Sequence, residues 1–144
     1  MAEDQTGRAR KRTVRTIALA AALLFQGLSG LVGGIGLVAD PSGAFFQFPA
    51  SWLDGSPFRD YLIPGLILLV VLGAGPLIAL VAVWRRLPWA RRAAQLVGVA
   101  LIVWIAVEVV VIGYQPEPPL QLIYEGVGLL ILLLTLKPLE NGGT

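Results

Sequence analysis

Cysteine and histidine are both missing from this chain of 144 residues. Without cysteine there is no disulfide framework, no thiol redox chemistry and no thiolate metal site. Without histidine the commonest general base and the commonest metal ligand are gone together. Charge is scarce as well. Asp, Glu, Lys and Arg make up 14% of the residues, whereas 56% are hydrophobic. A soluble domain carries about a quarter charged residues, so the composition points to a lipid bilayer as the solvent. Mean hydropathy, at +0.78, agrees. Motifs are also lacking: no nucleophile with a base, no metal-ligand cluster and no phosphate-binding loop. No cofactor is expected, and a non-enzymatic role is the leading reading.

Four apolar stretches come near the length of about 20 residues that a spanning helix needs. They run roughly over 16–38, 61–84, 93–114 and, shortest of the four, 120–136. The segment 1–15 reads as a basic tail, 16–136 as the membrane domain and 137–144 as a second tail. The first apolar run is too long for the core of a signal peptide, and no small-x-small cleavage site follows it, so it is read as a retained helix. The sequence therefore predicts an all-α membrane protein, an antiparallel four-helix transmembrane bundle with a structured aromatic outer loop.

Orientation follows from the basic residues. Arg8, Arg10, Lys11, Arg12 and Arg15 precede the first span, Arg85, Arg86, Arg91 and Arg92 lie between the second and third, and Lys137 follows the fourth. The opposite side holds Arg59 against Asp40, Asp54, Asp60 and Glu117. The positive-inside rule then puts both termini in the cytoplasm of a multi-pass inner-membrane (plasma-membrane) protein. A pI near 9.4 could suggest nucleic acid, but cations placed this way are topology signals, so no nucleic-acid partner is expected. Anionic lipid contact is compatible with them.

The one long connection, about 39–60, opens on Asp40-Pro41-Ser42-Gly43, a turn signature. Phe45, Phe46, Phe48 and Trp52 follow, and Pro49 is placed to open a single helical turn that Asp54-Gly55 ends. Ser56-Pro57 is read as the N-cap and first residue of the next helix. Such a loop either lies flat as an interfacial anchor or covers the mouth of the bundle. In the first span Ser29, Gly30, Gly33 and Gly34 give the small-xxx-small spacing that lets helices approach closely. Pro76, in the second span, predicts a kink by freeing a carbonyl one turn earlier. Gln26 lies mid-span and needs a partner.

Glu108 and Glu125 are the costly residues. A carboxyl group inside hydrocarbon costs roughly 2.5–3.5 kcal/mol on insertion scales, which makes it a functional-site hypothesis by default. Both lie at similar depth, on helices joined by the short QPEPP link. Spacing puts Trp104 and Gln115 on the Glu108 side and Gln121 near Glu125, with Tyr124 and Tyr61 close by. Arg59 is the available cation. The candidate ligand-binding set is therefore Glu108, Glu125, Gln121, Gln115, Trp104, Tyr124, Gln26 and Arg59. Two readings stay open. The groups satisfy one another as structural glue, or they form an outward-facing polar patch for a lipid, a small hydrophobic ligand, a cation or a proton. The functional expectation is an accessory subunit or lipid and small-ligand binder, whose partner is the bilayer plus another membrane protein or a second copy. The alternative is a small proton- or cation-coupled transporter or channel using the two glutamates.

Asp40-Pro41-Ser42-Gly43, Ser56-Pro57-Phe58, Asp60-Tyr61-Leu62-Ile63-Pro64-Gly65, Trp104-Ile105 and Ile112-Gly113-Tyr114 together resemble a group of small bacterial four-span integral membrane proteins. The resemblance implies a four-helix inner-membrane protein and carries no catalytic residue with it. Two other four-span classes do not fit. Small multidrug transporters have a glutamate in the first span, where this chain has Gln26. Quinone-linked disulfide enzymes need cysteines.

Overall fold

The computed structural model describes residues 12–139, and within them regular structure is helical. Four principal helices appear in order: α1 (Val14–Ala39), α2 (Leu62–Trp84), α3 (Ala90–Ile112) and α4 (Leu120–Leu134). The first three are long and apolar enough to cross a membrane. The fourth, expected over 120–136, is a 15-residue helix. At 1.5 Å per residue it extends about 22 Å, short of the roughly 30 Å of a bilayer core. Its last turn tightens at fully buried Thr135, whose N–H bonds the carbonyl three residues back, that of Leu132, while its hydroxyl turns onto the carbonyls of Ile131 and Leu132.

Local chemistry sets the other boundaries. Thr13 caps α1 by accepting a hydrogen bond from the Thr16 backbone N–H at 3.3 Å. Pro41 follows Asp40 and ends the helix, because the residue before proline avoids the helical region. Ser56-Pro57 does not open α2, contrary to the sequence reading. Ser56 instead accepts from the Phe58 N–H and donates to the Leu53 carbonyl, closing a turn. The first helical N–H, that of Leu62, is taken by the Asp60 carboxylate at 2.9 Å. α3 ends two residues before the expected Tyr114, since Gly113 takes φ +75°, a left-handed value that suits glycine.

Large apolar side chains face outward all round the helices: Val110 is 84% exposed and Leu96 70%. In water such a surface would aggregate; facing lipid it costs nothing. Lipid also removes the hydrophobic drive between helices, so close backbone packing must hold them together. The contacts show how. A methyl group added at Gly30 would overlap the Leu72 carbonyl, and one at Gly34 would sit 2.5 Å from the Leu69 nitrogen. Gly65 meets Leu37 near the other end of the same pair. Between α3 and α4, Gly98 and Gly128 face each other across the crossing. The core is correspondingly fine-grained, with Ala79, Ala82, Ala90 and Ala94 around Leu19, Leu23 and Ile131.

One end of the molecule is tied by arginines. Arg15 donates to the carbonyls of Lys137 and Pro138, and Arg91 to those of Thr135 and Leu136 at 2.8 and 2.9 Å. Gln95 adds a second donor to the Thr135 carbonyl. These bonds satisfy carbonyls of the chain just past α4, and they bring two cations to the C-terminal end of that helix, where the dipole favours positive charge. Arg8, Arg10 and Lys11 lie outside the described residues. In the connection 40–61, Phe45, Phe46, Phe48, Trp52 and Tyr61 form an unbroken series of ring contacts with centroids 4.9–5.7 Å apart. Tyr61 ties this series down through its hydroxyl to the Pro49 carbonyl and its N–H to the Pro41 carbonyl.

Candidate functional site

Glu108 lies one turn from the end of α3, half-buried. Residues four apart on a helix share a face, and here the Trp104 indole N–H donates to the Glu108 carboxylate at 2.6 Å. The Gln121 side chain, from α4, lies close to that carboxylate. Glu108 is thus held by its own helix and approached by the next.

Gln121 is buried, 5% exposed, and works in several directions. Its amide oxygen accepts from the Gln115 backbone N–H at 2.8 Å, and its nitrogen donates to the Gly113 carbonyl at 3.2 Å. Gln115, expected on the Glu108 face, lies beyond the helix end. Its side chain donates to the Ile112 carbonyl at 2.9 Å and so caps α3. Gln115 and Gln121 therefore clip the link between α3 and α4, and only Gln121 of the two reaches the carboxylate.

Glu125 follows Gln121 by one turn of α4, placing both on one face. It is half-buried, yet makes no hydrogen bond or ion pair with any described residue, Glu108 included. Arg59 does not pair with either glutamate; it is exposed and makes no ion pair with a described residue. Tyr124 stacks on Phe25 of α1, centroids 5.9 Å apart and rings 22° from parallel. Together with Trp104 it packs against the buried cluster of Leu72, Leu101 and Ile105, so the patch rests directly on the middle of the core.

Gln26, 2% exposed, has a partner that only the fold discloses. Pro76 has no N–H to return to the carbonyl four residues back, that of Leu72. The Gln26 side chain donates to this carbonyl at 3.2 Å. Around it, Val70–Ala74 forms a π-helical turn instead of a simple kink. The Gln26 amide oxygen is buried and has no partner. Gln26 thus belongs to the α1–α2 seam, beneath the cluster on which Trp104 and Tyr124 rest.

Among the described residues no three acidic side chains gather as metal ligands would. What the site offers is one carboxyl that accepts an indole N–H, and on the facing helix a second with no partner among the described residues. Such a pair can accept hydrogen bonds, hold a cation or engage a polar headgroup at an apolar face. Comparison with protein-family models, curated proteins and solved structures finds no match.

Proposed function

We propose that this chain is a non-enzymatic integral membrane protein that serves as an accessory subunit or as a binder of a lipid or small hydrophobic ligand. Its contact face is the polar patch of Glu108, Gln121 and Glu125. The observation that carries this reading is the asymmetry of the two carboxyls. Glu108 accepts the Trp104 indole N–H, whereas Glu125 has no partner among the described residues. A carboxyl on an apolar helix without an internal partner calls for one from outside, because leaving it unpaired in lipid is costly. The donor can be a polar group on a neighbouring helix or on a ligand.

The architecture that goes with this reading is an antiparallel four-helix transmembrane bundle. Three crossings would leave the chain on the side opposite its start, yet Arg15 bonds to the carbonyls of Lys137 and Pro138. α4 must then return across the bilayer, and its shortness is met by local thinning or by snorkelling flanks. The tied end carries Arg12, Arg15, Arg85, Arg91 and Lys137, which by the positive-inside rule is cytoplasmic. The aromatic connection and the glutamate patch then lie at the outer boundary, and the protein belongs to a cell inner membrane.

The test is co-purification after gentle extraction, comparing wild type with Glu125→Gln. Loss of a stoichiometric protein or small molecule in the variant is expected; an unchanged set sinks the reading. A proton- or cation-coupled transporter is the second reading, favoured by the unpartnered Gln26 oxygen in the core below the patch. It predicts pH-dependent flux into liposomes that Glu108→Gln abolishes, and no flux across a broad ion panel rejects it.

A further inference from the structure

The end opposite the glutamates holds a second feature. α1 and α2 leave between them an open-sided groove of about 560 Å³. Ile17, Ala20, Ala21 and Leu24 of α1 line it with Val81 of α2, and Trp84 and Arg85 lie at its basic end. The α1 residues recur at i, i+3, i+4 and i+7, so the slot runs lengthwise along one face of the helix. The seven steps from Ile17 to Leu24 give it about 10 Å of length.

Two guanidinium groups stand at its mouth. Arg85 is exposed, and its side chain makes no hydrogen bond or ion pair with a described residue. Arg12 lies flat on Trp84, its guanidinium carbon 3.7 Å from the ring centroid, and donates from Nη2 to the Trp84 carbonyl at 2.9 Å. Its Nε–H is buried and has no partner. The described acidic residues all fall within 40–60 or 108–125, far along the chain from this mouth, and none pairs with Arg12 or Arg85. The result is an apolar slot ending in guanidinium groups that no described carboxylate compensates, with a tryptophan at the depth where such rings meet headgroups. Guanidinium groups match the geometry of phosphate oxygens and bind them through paired hydrogen bonds.

We propose that this groove seats one acyl chain of an anionic glycerophospholipid, whose phosphate is held by Arg85 and Arg12. Complementarity selects this occupant: the slot suits a hydrocarbon chain, and the two cations favour a net negative headgroup over a zwitterionic one. The inference rests on the bilayer reading but not on any role for Glu108 or Glu125.

The experiment is native mass spectrometry of the full chain in detergent, titrated with phosphatidylglycerol or phosphatidylcholine of identical acyl chains. Phosphatidylglycerol should be retained preferentially. Arg85→Gln should weaken its retention about fivefold, and Arg12→Gln with Arg85→Gln roughly 25-fold, as expected for cations near a membrane surface. Ala21→Phe, at an exposed position, should fill the slot and lower retention of both lipids. Equal retention of the two lipids by wild type overturns the proposal, as does unchanged selectivity in Arg85→Gln. Alkaline extraction of wild-type membranes separates the two failures. A chain released at high pH refutes the bilayer reading itself, whereas a retained chain without lipid preference refutes only the groove.

Discussion

Replacing Gly30 by alanine is the sharpest probe of how the helices are held. The added methyl would overlap the Leu72 carbonyl and lie 2.7 Å from the Gly73 nitrogen. Those are backbone atoms of α2, which no rotamer change can move aside. The helices must separate, and overpacking of this kind costs about 1–3 kcal/mol. Separation would also stretch the Gln26 bond to the same Leu72 carbonyl, worth about 0.6 kcal/mol and up to 1.7 in membrane interiors. The identical substitution at Gly126 provides the control. Nothing lies within 4 Å of that methyl, and the position is inside α4. Helix propensity alone should then make Gly126→Ala more stable by about 0.5–1 kcal/mol. The two variants should therefore move in opposite directions, about 1.5–4 kcal/mol apart on these figures. Equilibrium unfolding in mixed micelles, titrated with a denaturing detergent, measures both. A Gly30→Ala variant as stable as wild type would refute the close-packed α1–α2 seam.

Three further expectations concern other contacts. Arg91→Ala removes two charged hydrogen bonds to the carbonyls just past the end of α4 and should cost about 1.5–3 kcal/mol, with amide exchange accelerating over 131–135. Unchanged exchange there would count against the tie. Asp40 is held below its ordinary value of 3.8 chiefly by the Ser42 hydroxyl, then by the Phe45 N–H. A depressed folded-state value means the contribution is present above pH 3.8 and is lost as pH falls through that lower value. Protection of the Phe45 amide should therefore persist at pH 5 and collapse only in stronger acid, while Asp40→Asn should lack this titration. The Trp104 indole proton, bonded at 2.6 Å to Glu108, should exchange slowly by NMR, and Glu108→Leu should speed it markedly.

The apolar runs that make α1, α2 and α3 are plain in the sequence because lipid demands them. The packing was less legible. Gly30 and Gly33 look alike in GLSGLVGGIG, yet a methyl at Gly33 would meet only a Leu68 side-chain carbon at an ordinary 3.7 Å. Spacing places residues on a face and does not say how deep the partner helix comes. The need of Gln26 for a partner and the carbonyl freed by Pro76 were each readable. That one answers the other depends on the register of two helices, which sets residues 46 apart side by side and which no local pattern carries. Arg91 read as a topology signal and is also a tie, because the carbonyls it bonds lie just past a helix not yet built when the local sequence is read. Glu108 and Trp104, one turn apart, were recoverable from helical spacing. The solitary state of Glu125 was not, since it depends on what every neighbour fails to supply.

That solitary carboxyl is also the most direct way to test the functional claim. The full chain would be extracted gently from native membrane as wild type and as the Glu108→Gln, Glu125→Gln double variant, and co-purifying proteins and lipids quantified by mass spectrometry. A component stoichiometric with wild type and lost from the double variant is the predicted result. Identical components in both samples would contradict it and leave the two glutamates as internal glue.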